Sequence, residues 1–409
     1  MKKHKWFSHG LAVLLALELA HLLLPLRWGD DAVFFGKVQR LDLPAFLKTS
    51  SRPLVDAATY LFASCPILWR VLNPLVLLTL AGLLARLLKA DSRQKMLLGL
   101  LVLIPSMGLV DAGFMATTIN YLWPVTFGLF VIDSALRFEP HGKFAWLRCA
   151  LALPALAYAV NMQQMAMVLP AVLAVLCFGA IKRKETSKSL LAGAYLALAA
   201  VAAAYSYYKS AVGETSRLAR EAGRYFPDFQ SLSLPQRLEL GFSSTFHGLS
   251  MAVSLPCAVF LGFCVFLAVT ATRRPLRAWV KALSFVPAIL TVLLFIFRGN
   301  TPLVNSKMDR ASYHFSWGTD LAFLLLACAF LIVIFSLIRN QENRFPTFFV
   351  LALGFGSRVL MGFSPTVWAS GYRTFYILML SLLAVGYYIY CDDRSLKNEP
   401  THPARQSPA

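Results

Sequence analysis

Read for polarity alone, the chain is a succession of long apolar runs separated by short polar ones. A spanning helix needs roughly 20 mostly apolar residues, and about twelve runs qualify. They lie near 7–26, 68–88, 96–110, 121–137, 147–160, 164–181, 189–208, 246–270, 280–297, 318–338, 345–361 and 373–390. Runs 96–110 and 147–160 are short, so tilt or extension into neighbouring polar residues is needed to complete them. Residues 53–66 (PLVDAATYLFASCP) are too short to span and carry Asp56. A re-entrant or interfacial piece is expected there, because irregular backbone at membrane depth must be buried in protein. The pattern predicts an all-α integral membrane protein of about 12 transmembrane helices, roughly 10–13. It forms one polytopic domain over 1–391, with a short disordered tail at 392–409. The run behind MKKHK is read as an uncleaved anchor, since no small-residue cleavage site follows it.

Composition narrows the class. Of 409 residues, 58% are hydrophobic and 14% charged, against about 25% charged in soluble domains. A soluble enzyme, a disordered chain and a secreted disulfide scaffold are excluded. Lys and Arg number 39 against 20 Asp and Glu, a net +19. The basic residues cluster in short segments such as MKKHK, RLLKADSRQK, KRKETSK and TRRPLRAWVK. By the positive-inside bias these segments are cytoplasmic, so the charge is an orientation signal and no nucleic-acid partner is expected. Both termini then face the cytoplasm, and the long loops 27–67, 209–245 and 298–317 face outward. The seven cysteines form no Cys-x-x-Cys pair, which argues against a zinc site.

Candidate chemistry gathers on the outward side. The first loop opens WGDDAVFFGKVQRLD, with Asp30 and Asp31 directly after the first span. Phe34, Val38 and Leu41 follow at helical spacing, which predicts an amphipathic helix lying in the interface. Two adjacent carboxylates can take a proton from a hydroxyl or hold a divalent cation; a solvated turn capping the next helix is the competing reading. Residues 112–124 (AGFMATTINYLWP) read as a small outer hairpin, where Asn120, Tyr121 and Trp123 are either sugar contacts or interfacial anchors. In loop 209–245, Glu214, Arg217, Glu221 and Arg224 are spaced for a self-paired helical face. A second helix opens at Ser233 and is expected to stop at Gly241. Arg358 sits inside an apolar run, where a charge faces a cavity or snorkels to the headgroups. Arg373 stands at headgroup height, and guanidinium groups there suit a lipid-linked phosphate. Glu18 and His21, three apart in the first span, are read as structural.

These residues resemble the GT-C superfamily of membrane glycosyltransferases, closest to the bacterial Gtr-type O-antigen glucosyltransferases and related multi-pass proteins. The resemblance rests on Asp30-Asp31 after a first span, Ser51-Arg52-Pro53, Asn120-Tyr121-Leu122-Trp123-Pro124, and Ser364-Pro365 with Tyr372-Arg373-Thr374. Ser51 departs from the glycine usual at that step. The resemblance implies a polyprenyl-phosphate-linked sugar as donor and a cell-envelope glycan or glycolipid, such as lipopolysaccharide O-antigen, as acceptor. It also implies a site on the periplasmic face of the bacterial inner membrane. Asp30 or Asp31 would be the general base of an inverting transfer, with Arg52, Arg358 and Arg373 binding the donor phosphate. Asn120, Tyr121 and Trp123 would contact sugar or acceptor, and a divalent cation (Mg or Mn) on Asp30 and Asp31 would be an optional cofactor. The rival readings are an O-antigen polymerase or ligase, pointed to by Arg217, Arg220, Arg224 and Arg237, and a lipid-linked glycan flippase.

Overall fold

The computed structural model describes residues 16–48, 52–110, 112–213, 221–299 and 312–398, together with Val13 and Ser50. Among these residues every regular element is a helix. The first, over 16–23 (α1), leads into the loop helices α2 (Gly29–Val38), α3 (Leu43–Leu47) and α4 (Pro53–Ser64). Then come α5 (Pro66–Leu87), α6 (Ser92–Met107), α7 (Phe114–Leu136), α8 (Ala145–Val160), α9 (Gln163–Lys182) and α10 (Thr186–Gly213). The second half contains α11 (Leu234–Ser250), α12 (Leu255–Arg273), α13 (Ala278–Phe297), α14 (Trp317–Leu337), α15 (Gln341–Val359) and α16 (Tyr376–Asn398).

Nine of the described helices are long and apolar enough to cross a membrane, and two shorter apolar helices, Gln94–Val110 and Ala145–Val160, match the two short runs. The protein is an all-α, multi-pass membrane protein. Residues 7–12, 14 and 15 of the first apolar run lie outside the described residues, as do 399–409.

Four local expectations are corrected. The run 246–270 is not one helix: α11 ends at Ser250 and α12 begins at Leu255, with Ser254 accepting from Cys257 N as its N-cap (3.2 Å). α11 does not stop at Gly241 but passes through it. Residues 112–124 form no hairpin; α7 is continuous from Phe114 and contains a π-helical turn at Thr118–Leu122. Finally, α16 runs on through Asn398, and Asp392, expected in the tail, is buried.

Two large apolar cores divide the bundle. One is built on residues of the first half such as Trp69, Val102, Ile119 and Leu169, the other on Phe260, Phe323, Phe330 and Val333. The last helix belongs to both, giving Tyr376, Ile377 and Leu380 to the first core and Leu378, Leu382 and Val385 to the second. Side chains on opposite faces of one helix thus join the halves. The N-terminal end of α7 carries the site described next. Asp133, near its other end, holds Arg86 (3.1 Å) and Arg137 (2.7 Å), roughly 25 Å away at 1.5 Å per residue.

Candidate functional site

The acidic pair is placed by two glycines. Gly29 (φ +57°) and Gly113 (φ +109°) occupy backbone conformations that L side chains avoid. A Cβ at Gly29 would lie 2.7 Å from Ala112 O, and one at Gly113 would lie 2.7 Å from Asp31 N. Without side chains the two segments touch, and Asp30 N donates to Ala112 O at 2.8 Å.

That contact gives the two aspartates different fates. Asp31 is wholly buried, and its carboxylate accepts from Ala116 N (2.7 Å) and Met115 N (3.1 Å). These are first-turn N–H groups of α7 that have no partner within the helix. Burial pushes the Asp31 carboxyl up to about 6; the two amides pull it down and the neighbouring Asp30 charge adds to the rise. Asp30 keeps 42% of its side chain exposed and forms an ion pair with Arg373, on a 3-10 turn over Tyr372–Phe375.

Asp30 opens onto a cavity of about 380 Å³ that Lys37, Arg52, Asn120, Tyr121 and Arg373 also line. These residues come from four separate stretches of chain. Arg52 is the N-cap residue of α4, whose Leu54 and Val55 N–H groups are capped by Asn161 Oδ1 at 3.1 and 3.2 Å. Its guanidinium lies 3.8 Å from Asp56. Asn120 and Tyr121 sit on the π-helical turn of α7, a distortion that recurs at functional sites.

Other predicted residues lie elsewhere. Asp31 does not line the cavity; it holds the end of α7. Trp123 is a core residue: its Nε1 donates to Asn73 Oδ1 at 2.9 Å and its ring meets Phe62 edge-on at 5.0 Å. Arg358 neither snorkels nor lines the cavity. It is buried, with its guanidinium 4.5 Å over the Phe375 ring. His21 is structural as expected, bonded to Asn73 (2.9 Å). Ser51, Glu214, Arg217 and Arg220 lie outside the described residues. Arg237 is occupied with Leu232 O (3.1 Å), and Arg224 lies over the Tyr225 ring.

Seven further polar residues line the cavity without being expected there: Gln163, Gln164, Glu221, Tyr225, Ser364, Thr366 and Ser370, of which Glu221 is expected in a self-paired helical face and Ser364 only as part of a motif. One signal was available, the Gln163-Gln164 pair opening an otherwise apolar run. The cavity is charged but not lopsided, with three cations (Lys37, Arg52, Arg373) against two acids (Asp30, Glu221).

A divalent cation does not fit the acidic pair. The Asp31 oxygens are turned to backbone amides and Asp30 to a guanidinium, and no group of three or more His, Cys, Asp or Glu gathers among the described residues. The arrangement suits an anion at the cations and a hydroxyl at Asp30. Comparison with protein-family models, curated proteins and solved structures finds no match to this chain.

Proposed function

We propose that the protein is an inverting membrane glycosyltransferase that moves a sugar from a polyprenyl-phosphate donor to a hydroxyl of a cell-envelope glycan or glycolipid. By the Lys/Arg distribution the cavity end is the outer, periplasmic face. The observation that carries the reading is the meeting of Asp30, Arg52, Asn120, Tyr121 and Arg373 on one cavity from four distant stretches of chain.

Asp30 is the base, because of the two aspartates it alone is accessible. The acceptor O–H gives its proton to the Asp30 carboxylate as the oxygen bonds to the anomeric carbon. The bond from that carbon to the phosphate oxygen breaks, and the leaving polyprenyl phosphate gains negative charge. Arg373, with Arg52 and Lys37, stabilises that charge where it develops. Direct displacement inverts the anomeric centre. The Asp30–Arg373 pair adds an order to the events: the donor phosphate competes for Arg373, and the displaced carboxylate is free for the acceptor.

The test is Asp30→Asn and Arg373→Ala in the native cell, with envelope glycans weighed by mass spectrometry. Each should remove one sugar increment while polymer length is kept, since a general base contributes about 10²–10⁴ in rate. Collapse of chain length would instead indicate a polymerase, and loss of all exported glycan a flippase. Unchanged glycan in both variants refutes the site.

A further inference from the structure

Six buried side-chain polar atoms among the described residues have no hydrogen-bond partner, and five belong to four residues at or behind this cavity: Asn120 Oδ1, Gln164 Oε1, Arg373 Nε, and Nε and Nη1 of Arg358. Buried polar atoms are nearly always paired, so such a gathering asks for a ligand. The two amides are the informative members. Gln164, 3% exposed, directs its Nε2 to both Ser357 O and Thr374 O, each at 2.9 Å. Asn120, 7% exposed, directs its Nδ2 to Ala116 O at 2.7 Å, one turn back along α7.

These bonds decide which way each amide faces. Turning Gln164 over would set its oxygen against two carbonyl oxygens; turning Asn120 over would do so against one. Gln164 therefore spends both N–H donors on the backbone and presents only an acceptor, while Asn120 spends one of its two and keeps an unpaired acceptor beside the other. Both line the cavity. A phosphate oxygen is repelled by such carbonyls, whereas a hydroxyl satisfies them. The cavity thus has a cationic part at Arg373, Arg52 and Lys37 and an amide part at Asn120 and Gln164 with two unpaired acceptor oxygens.

We infer that Gln164 and Asn120 read the hydroxyl groups of the transferred sugar, acting as two oriented acceptors that set donor specificity. This rests on the glycosyltransferase reading. Gln164 has a second, positioning role, because the carbonyls it clamps belong to the neighbours of Arg358 and Arg373.

The test measures binding to the purified full-length protein in detergent. The probes are undecaprenyl phosphate and its conjugates with glucose, galactose, mannose or N-acetylglucosamine. Wild type should bind at least one conjugate about tenfold more tightly than the plain lipid phosphate, the worth of one well-made hydrogen bond. Gln164→Leu and Asn120→Leu should each erase that advantage, and Asn120→Leu, which leaves the backbone clamp intact, should keep full affinity for the plain lipid phosphate. Arg373→Ala should weaken every probe alike. If Asn120→Leu weakens plain and sugar-bearing probes equally, or if neither variant narrows the gap, the assignment fails. Wild type that binds plain undecaprenyl phosphate but gains nothing from any sugar overturns the amide assignment alone. Wild type that binds no probe overturns the donor reading, and this inference with it.

Discussion

Asp30 and Asp31 are chemically identical neighbours with opposite roles, and the difference is solvent. Asp31 buries a carboxyl against two amides; Asp30 keeps an exposed carboxylate against a guanidinium. The pH dependence of stability should expose this. Because burial raises Asp31 to about 6, its contribution is full below the unfolded value near 4 and is lost as pH rises through about 6. Asp31→Asn removes that titration and keeps an acceptor for one of the two amides, so the cost of the lost bond is the same at every pH. The stability of the variant should therefore gain on wild type between pH 4.5 and 7, by up to roughly 3 kcal/mol at about 1.36 kcal/mol for each pH unit between the folded and unfolded pKa, read as a rise in apparent Tm relative to wild type. A gap that stays constant over this range contradicts a buried, titrating Asp31. The adjacency of the two acids was legible in the sequence; which of them meets solvent was not, because that depends on Gly113, more than eighty positions away.

At the scale of elements, glycine explains the main misreading. Gly241 reads as a helix stop because glycine at a helix end adopts positive φ, yet α11 continues through it. Its role is contact: a Cβ there would lie 2.0 Å from Val359 O, and one at Gly362 would lie 2.0 Å from Arg237 O. The two glycines let α11 cross the end of α15 backbone to backbone. Gly241→Ala should lower the apparent Tm, costing at least about 2 kcal/mol from overpacking against rigid backbone. Gly262→Ala is the control. It lies in α12 with nothing within 4 Å of its Cβ, so it should be neutral or gain about 0.5–1 kcal/mol from helix propensity. Equal effects from the two would show that the crossing is loose. The hairpin expected at 112–124 failed for a related reason. Polar residues and a glycine read as a break, but Asp31 caps the helix from outside and the π-helical turn absorbs Asn120 and Tyr121 within it.

At the scale of the whole molecule, α16 binds both halves of the bundle, and its far end is secured by charge. Asp392 accepts from Arg339 N and Asn340 N, each at 3.0 Å, and faces Arg274 at 3.7 Å, with both side chains buried. Arg274 also donates to Ile389 O at 2.8 Å. Asp392→Ala would leave the guanidinium without that counter-charge and two backbone donors without their carboxylate. The expected cost is about 3–5 kcal/mol of stability. The proposed transfer, per folded molecule, should be preserved, because Asp392 lies at the opposite end of α16 from Arg373. A thermal-shift assay beside a glycan mass profile separates the two effects, and lost transfer at full stability would place Asp392 in the machinery.

Apolar runs of spanning length, basic clusters between them and an acidic pair at the end of the first are local properties, each set by a few neighbouring side chains. The all-α membrane class and most spans could therefore be read directly, and Asp30, Arg52, Asn120, Tyr121 and Arg373 could be singled out. The meeting of those residues is not local. It requires residue 373 to return to residue 30 across 343 positions, and a helix to show one face to each half of the bundle. Packing also separated Asp30 from Asp31, moved Trp123 and Arg358 out of the cavity and brought Gln164 into it. Burial and partnership are properties of the surroundings, and no side chain carries them in its own identity.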